Sequence, residues 1–215
     1  MIKLRNILFP LNECVIARMN VDGSVCLAKN RDRAYAPDLE VVHEIVDDIE
    51  IVYMRDTLTD WSEGMNDKGI GVVNASLLVI ADEREGEVAK EKAAKGKTSK
   101  PSYDGLKIRT ALSKPKLSKA IRSVVSFVGH DKRDVGVKGM TIVANASNSF
   151  IVEMTSKDLP IITKLDKDAI EVRTNHGVAY PKTGYAGGLK RKSSLSRQDL
   201  AQEALGKITN TNDIL

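Results

Sequence analysis

Three observations predict an α+β layered fold with mainly antiparallel sheets. Two β-prone runs, "CVIARMNV" and "SVCLAKNR", meet at Asp22-Gly23, a dipeptide that suits a tight type I′ turn. Two later segments, "SYDGLKIRTALSK" and "LSKAIRSVVSFVGH", carry apolar residues at helical spacing and are split by Pro115. The order along the chain is strands, helices, strands, helix, which fits sheets and helices in separate layers.

The elements follow in order. Residues 1–13, "MIKLRNILFPLNE", read as a leader ahead of one domain spanning 14–215. Pro10 and Asn12 interrupt any strand running into Cys14. In the first hairpin a two-residue turn sets Val21 opposite Ser24, Met19 opposite Cys26 and Cys14 opposite Arg31. Side chains alternate faces along a strand, so Cys14 and Cys26 point to opposite faces and no disulfide forms between them. Residues 39–57 read as more strand, broken at Asp47-Asp48. "GMNDKGIGVVNASLLVI" (64–80) reads as a glycine-punctuated turn and a buried strand, and a mobile basic loop follows at about 83–102. After the two helical segments, "MTIVANASNSFIVEM" is a second hairpin turning near Ser147-Asn148. "AIEVRTNH" is a further strand, leading through a Gly/Tyr-rich loop into a last helix, "SSLSRQDLAQEALGKI".

Composition excludes several classes. A chain of 215 residues holds a real core in one domain, and its net charge of +4 does not by itself call for nucleic acid. "KEKAAKGKTSKPS" (90–102) concentrates five Lys against one Glu but interleaves no aromatic residue, so base stacking is not expected there and nucleic acid is an unlikely partner. No apolar run approaches the ~18 residues that span a bilayer, and "ILFPL" is too short for a secretory core of about 7–15 residues. The expected setting is soluble and cytoplasmic, without a membrane. Two cysteines are too few for a disulfide scaffold, and His43, His130 and His176 are not at metal-ligand spacing, so neither a metal nor another cofactor is expected.

A lone cysteine is more often a small buried hydrophobe than a nucleophile. The surroundings of Cys14 change that. It opens a strand that turns at Asp-Gly and returns to end in Lys29-Asn30-Arg31-Asp32. This resembles the start of the cysteine N-terminal nucleophile (Ntn) hydrolases: choloylglycine hydrolase, penicillin V acylase, the isopenicillin N acyltransferase group and acid ceramidase. Their mature chains begin with Cys and return as Arg-Asn-x-Asp or a variant; the "ANRDE" of the NRDE-motif proteins is similar. Three later segments recur in the family's order. "GMNDKGIGVVNAS" resembles its Gly-Met-Asn-Glu-Lys-Gly turn and the strand ending in an Asn, here Asn74. "RTNHG" resembles its Thr-Asn-His element, with Asn175. "SSLSR" resembles its Ser-x-Ser-Arg, with Arg197.

The resemblance implies a four-layer αββα sandwich with strands 14–20 and 25–31 near the centre. It also implies hydrolysis of linear, non-peptide amides after autocatalytic removal of residues 1–13 from a zymogen-like precursor. Cys14 would be the thiol nucleophile, its freed α-amine the base, since such an amine titrates at about 7.7–8.0. Asp32 would orient that amine, Asn175 would donate to the oxyanion with Asn74 as a second donor at the pocket edge, and Arg197 would place positive charge near the thiol. Cys26, mid-strand, is the rival nucleophile and is otherwise a packed thiol.

Two departures stand out. Lys29 occupies the place where bile salt hydrolases carry Arg. The chain ends at Leu215, soon after the Arg197 helix, where relatives continue into further strands. A trimmed sheet, one completed by another chain, and a shortened descendant are all open, and so is a homo-oligomer. The competing reading is a non-catalytic structural or assembly protein that keeps this fold, with self-cleavage as its only reaction.

Overall fold

The computed structural model describes residues 14–31, 37–77, 103–126, 137–155 and 158–210. The leader, Asp32 and the basic loop at 83–102 lie outside them.

Two antiparallel sheets dominate. β1 (Cys14–Val21) and β2 (Ser24–Arg31) form the first hairpin, and Asp22 and Gly23 both take positive φ, 51° and 77°, as a type I′ turn requires. The register is the one read from the turn: Val21 pairs with Ser24, Met19 with Cys26 and Cys14 with Arg31. β10 (Glu171–Arg173) joins the other edge of β1, giving a three-stranded sheet in the order β10-β1-β2.

The second sheet has seven strands in chain order: β3 (Leu39–Val46), β4 (Ile49–Asp56), β5 (Trp61–Asn66), β6 (Gly71–Ala75), β7 (Gly139–Ala144), β8 (Ser149–Met154) and β9 (Ile161–Lys164). The break at Asp47-Asp48 is a second tight hairpin, both residues at positive φ, with Val46 paired to Ile49. The β7–β8 turn is organised by Asn145, whose Oδ1 accepts from the backbone N–H groups of Ser147 and Asn148. β7 is buried along its whole length and β8 nearly so, because both faces of the sheet are covered there.

Helices α1 (Tyr103–Leu112) and α2 (Leu117–Val125) are inserted between β6 and β7. Ile108, Ala111 and Leu112 on α1 and Ala120 and Val124 on α2 recur at helical spacing and pack on Ile51, Tyr53, Val72 and Val143 of the large sheet. Pro115 ends α1, since the residue before a proline is pushed out of the helical region. The exposed carbonyls of that helix end are met by Asn66, whose Nδ2 donates to Leu112 O at 2.6 Å and Lys114 O at 3.0 Å.

The opposite face of the large sheet carries a second core. Cys14 and Ile16 of β1, with Val25 and Leu27 beside them, pack on Val73, Ala75, Met140, Ile142 and Ile151. Arg18, one further step along the same face, is 1% exposed and locks the sheets together. Its Nε donates to Ser149 Oγ at 3.0 Å and its Nη1 to Ala169 O at 2.9 Å. Burial lowers its pKa, and Asp168 and Asp166 counter that. The last helix, α3 (Gly188–Leu205), contacts β10 and β1.

The small sheet covers only part of the large one. On the same face, Val41 and Ile45 of β3 are 73% and 72% exposed, and Val52, Met54 and Met65 continue the patch across β4 and β5. Among the described residues, no helix is long and apolar enough to cross a membrane.

Candidate active site

Strand register builds the site. β1 and β10 pair Ile16 with Arg173, and the chain bends just past β10, which brings Asn175 to the Cys14 end of β1. On the other side β2 sets Arg31 opposite Cys14. Directly opposed residues share a face, so Arg31 and Cys14 form a row turned toward the large sheet, and Asn175, in the bend just past β10, stands at its end.

The row is hydrogen-bonded at the backbone of Cys14. The Cys14 N–H donates to Asn175 Oδ1 at 2.6 Å, a contact spanning 161 residues. Arg197, on α3, donates from Nη1 to the Cys14 carbonyl oxygen at 3.3 Å across 183 residues. Asn175 Nδ2 donates to Ser76 O at 2.7 Å, at the end of β6. With a peptide N–H on one side and a carbonyl on the other, the carboxamide can face only one way. Its oxygen meets Cys14 and its nitrogen keeps a second hydrogen for another acceptor. Cys14 itself is 2% exposed, its side chain among apolar neighbours.

A scan against protein-family models matches no family, and a search of curated proteins finds no match. The geometry therefore carries the functional argument.

Of the residues singled out in the sequence, Cys14, Asn175 and Arg197 come together. Asn74 is near them only through its carbonyl oxygen, which accepts from Lys29 Nζ. Val73 and Ala75 face the small sheet, so Asn74 between them projects to the helix side. Its Nδ2 donates to Thr141 Oγ1 at 2.7 Å and more weakly to Lys138 O at 3.4 Å. The carboxamide therefore lies on the helix side of the sheet, and the expected place at the pocket edge is not taken by it. Asp32 lies outside the described residues. Both cysteines are free; Cys26 is half-buried and sits on the other face of the hairpin, apart from the row.

Two groups of polar residues flank the site, and apart from Lys29 the sequence does not single them out. The first lies beside Cys14 on the inward face of β2. Lys29 Nζ donates to the Asn74 carbonyl oxygen and, at 3.3 Å, to Glu63 Oε2, and it lies 5.4 Å from the Trp61 ring centre. Arg31 Nη2 bonds the same Glu63 oxygen, and its Nη1 lies 3.8 Å from Asp56 Oδ2. Lys29 thus ties β2 to β6. The signal for Arg31 was present in the turn register, which already set it opposite Cys14.

The second group holds Asn175 and Arg197 in place. Thr174 and His176 flank Asn175, and Ser194 lies one turn before Arg197. His176 Nδ1 is 2.9 Å from Ser194 Oγ and 3.0 Å from Thr174 Oγ1, and the two hydroxyls are 2.7 Å apart. All three side chains are buried. Burial lowers the His176 pKa, and Arg191, Arg173 and Arg197 push the same way against Glu153, so the imidazole is neutral at neutral pH. The loop beyond folds back because Glu153 accepts the N–H groups of Val178, Ala179 and Tyr180. Gly184, at φ 64°, then packs on Asn175; a Cβ there would lie 2.2 Å from the Asn175 carbonyl oxygen. Among the described residues, no group of three or more His, Cys, Asp or Glu side chains is arranged to hold a metal ion.

Proposed function

We propose that the protein is a cysteine amidase of the Ntn class that first cuts its own Glu13-Cys14 bond and then hydrolyses a linear, non-peptide amide. One observation carries the reading: Asn175 and Arg197, far from Cys14 in sequence, meet the N–H and C=O of that one residue. Any buried backbone N–H and C=O needs partners; here both come from the two residues that the resemblance singles out. The layering supports the reading too. Helices pack on one face of the large sheet and the small sheet on the other, with α3 against β1 and β10, as an αββα sandwich requires.

In the processing step the Cys14 thiol attacks the Glu13 carbonyl carbon. The C–N bond breaks, the acyl group passes to sulfur as a thioester, and the nitrogen takes up a proton. Water then hydrolyses the thioester, releasing residues 1–13 and leaving a free α-amine. Asn175 Oδ1, already bonded to the Cys14 nitrogen, holds that amine afterwards, and Asp32 is the proposed second partner. The amine then serves as base when the thiol attacks a substrate amide. The acyl-enzyme is a thioester, the substrate amine leaves, and water completes the turnover. The spare Nδ2 hydrogen of Asn175 is the available oxyanion donor.

A second reading, a non-catalytic assembly protein retaining this fold, is favoured by the uncovered apolar face of β3, β4 and β5. Turnover separates the two. Processed protein incubated with short acyl p-nitroanilides should release p-nitroaniline, and Cys14→Ala should not. Wild-type protein that is cut at Glu13-Cys14 yet releases nothing from any acyl amide would favour assembly.

A further inference from the structure

Arg31 is an unusual neighbour for a thiol. It is the cross-strand partner of Cys14, and its side chain is only 7% exposed. One nitrogen, Nη2, bonds Glu63, while Nε and Nη1 have no hydrogen-bond partner among the described residues. The nearby acids are already engaged. Glu63 is shared with Lys29, and Asp56 accepts from the Leu58 N–H at 3.0 Å and the Thr59 hydroxyl at 2.9 Å. Two carboxylates already lie beside Arg31, Glu63 in a hydrogen bond and Asp56 at 3.8 Å from Nη1, so an arriving anion would meet negative charge where a neutral oxygen would not. A buried guanidinium keeps unmet N–H groups only at a cost, which an arriving acceptor relieves.

We infer that Arg31 is a specificity-determining residue that hydrogen-bonds a neutral oxygen (ether, hydroxyl, carbonyl or carboxamide) carried by the acyl part of the substrate, close to the scissile carbonyl. The inference rests on the amidase reading for its substrate but can be read without turnover. Cys14 is labelled with iodoacetamide in the presence of three primary amides of matched length: 3-methoxypropanamide, its isostere pentanamide, and the anion succinamate. Modification is followed by peptide mass, with Cys26 in the same molecule as the internal reference.

In wild type, 3-methoxypropanamide should protect Cys14 at about five- to tenfold lower concentration than pentanamide, the worth of one net hydrogen bond. Arg31→Met should level the two, and Arg31→Lys should restore part of the preference, with Cys26 labelling unchanged in both as the check on folding. Equal protection by ether and alkane in wild type, no protection by either, or a preference that survives Arg31→Met overturns the inference. So does strongest protection by succinamate, which would mean that Arg31 reads charge. Hydrolysis of the matched p-nitroanilides is measured alongside. Selective protection without turnover would remove the amidase reading and leave the Arg31 contact standing.

Discussion

Cys14 and Cys26 sit on one hairpin, separated by a single tight turn, and the fold treats them oppositely. Cys26 pairs with Met19 and lies half-buried on the outer face. Cys14 pairs with Arg31 and has both its backbone polar groups taken by side chains from elsewhere in the fold, Asn175 and Arg197. The chemistry of the two thiols is the same; the neighbours are not. A residue's candidacy as a nucleophile is thus set by register, which decides its face, and by what the opposing layers bring to that face.

The largest expected effect breaks this contrast outright. Cys14→Ala should remain full length, because no thiol attacks the Glu13 carbonyl, while Cys26→Ala should lose residues 1–13 at the wild-type rate; gel mobility and N-terminal sequencing distinguish them. Processing in both variants, or in neither, would erase the distinction. Next in size is Asn175→Ala. It orphans the Cys14 N–H and the Ser76 carbonyl and should cost about 1–3 kcal/mol of stability, measured by urea unfolding. If the spare Nδ2 hydrogen serves the oxyanion, turnover should also fall roughly 10²–10³-fold. A variant as stable as wild type would show that the 2.6 Å contact carries no energy.

Much of this arrangement was legible in the sequence, for local reasons. Asp22-Gly23 fixes a two-residue turn, and everything about the hairpin follows, including the opposed faces of the cysteines and the Cys14–Arg31 pair. The helices either side of Pro115 and the hairpin around Asn145 were legible for the same reason, since each boundary is set by a residue's own backbone limits. β5 and β9 were not. "WSEGMN" alternates poorly because Trp61 and Glu63 share a face beside Lys29, and "IITK" is an exposed edge with no buried stripe to betray it. The start of α3 was also missed, by five residues, since Gly188 to Lys192 carries no apolar periodicity.

In the site, the Asn175 and Arg197 assignments rested on resemblance and Asn74 did too, but only a sheet register could show which face Asn74 takes. The Thr174–His176–Ser194 cluster joins a strand end to a helix. No local pattern in either segment announces that.

Two smaller effects sharpen the account of how the Cys14 side is held. Gly184→Ala forces a Cβ against the Asn175 carbonyl and a left-handed φ on an L-residue, so it should cost about 1–2 kcal/mol of stability. It should also slow processing more than a substitution at Gly187, where a Cβ meets nothing within 4 Å. Equal rates in the two variants would separate the loop from the site. The smallest effect is in acid. The folded His176 pKa lies below its unfolded value near 6.5, so the unfolded state binds the extra proton first. Its contribution is complete above about pH 6.5 and declines as pH falls through the folded value. His176→Gln should flatten that part of the stability profile; an unchanged slope would assign the acid sensitivity elsewhere.

The central claim is that Cys14 becomes the N-terminus of the working protein. Intact mass and N-terminal sequence of purified wild-type chain, followed during incubation at neutral pH, test it most directly. The account predicts loss of Met1 to Glu13 in a first-order process independent of protein concentration, ending in a chain that begins at Cys14. A chain that keeps Met1 to Glu13 throughout, with Cys14 intact and unmodified, would contradict it.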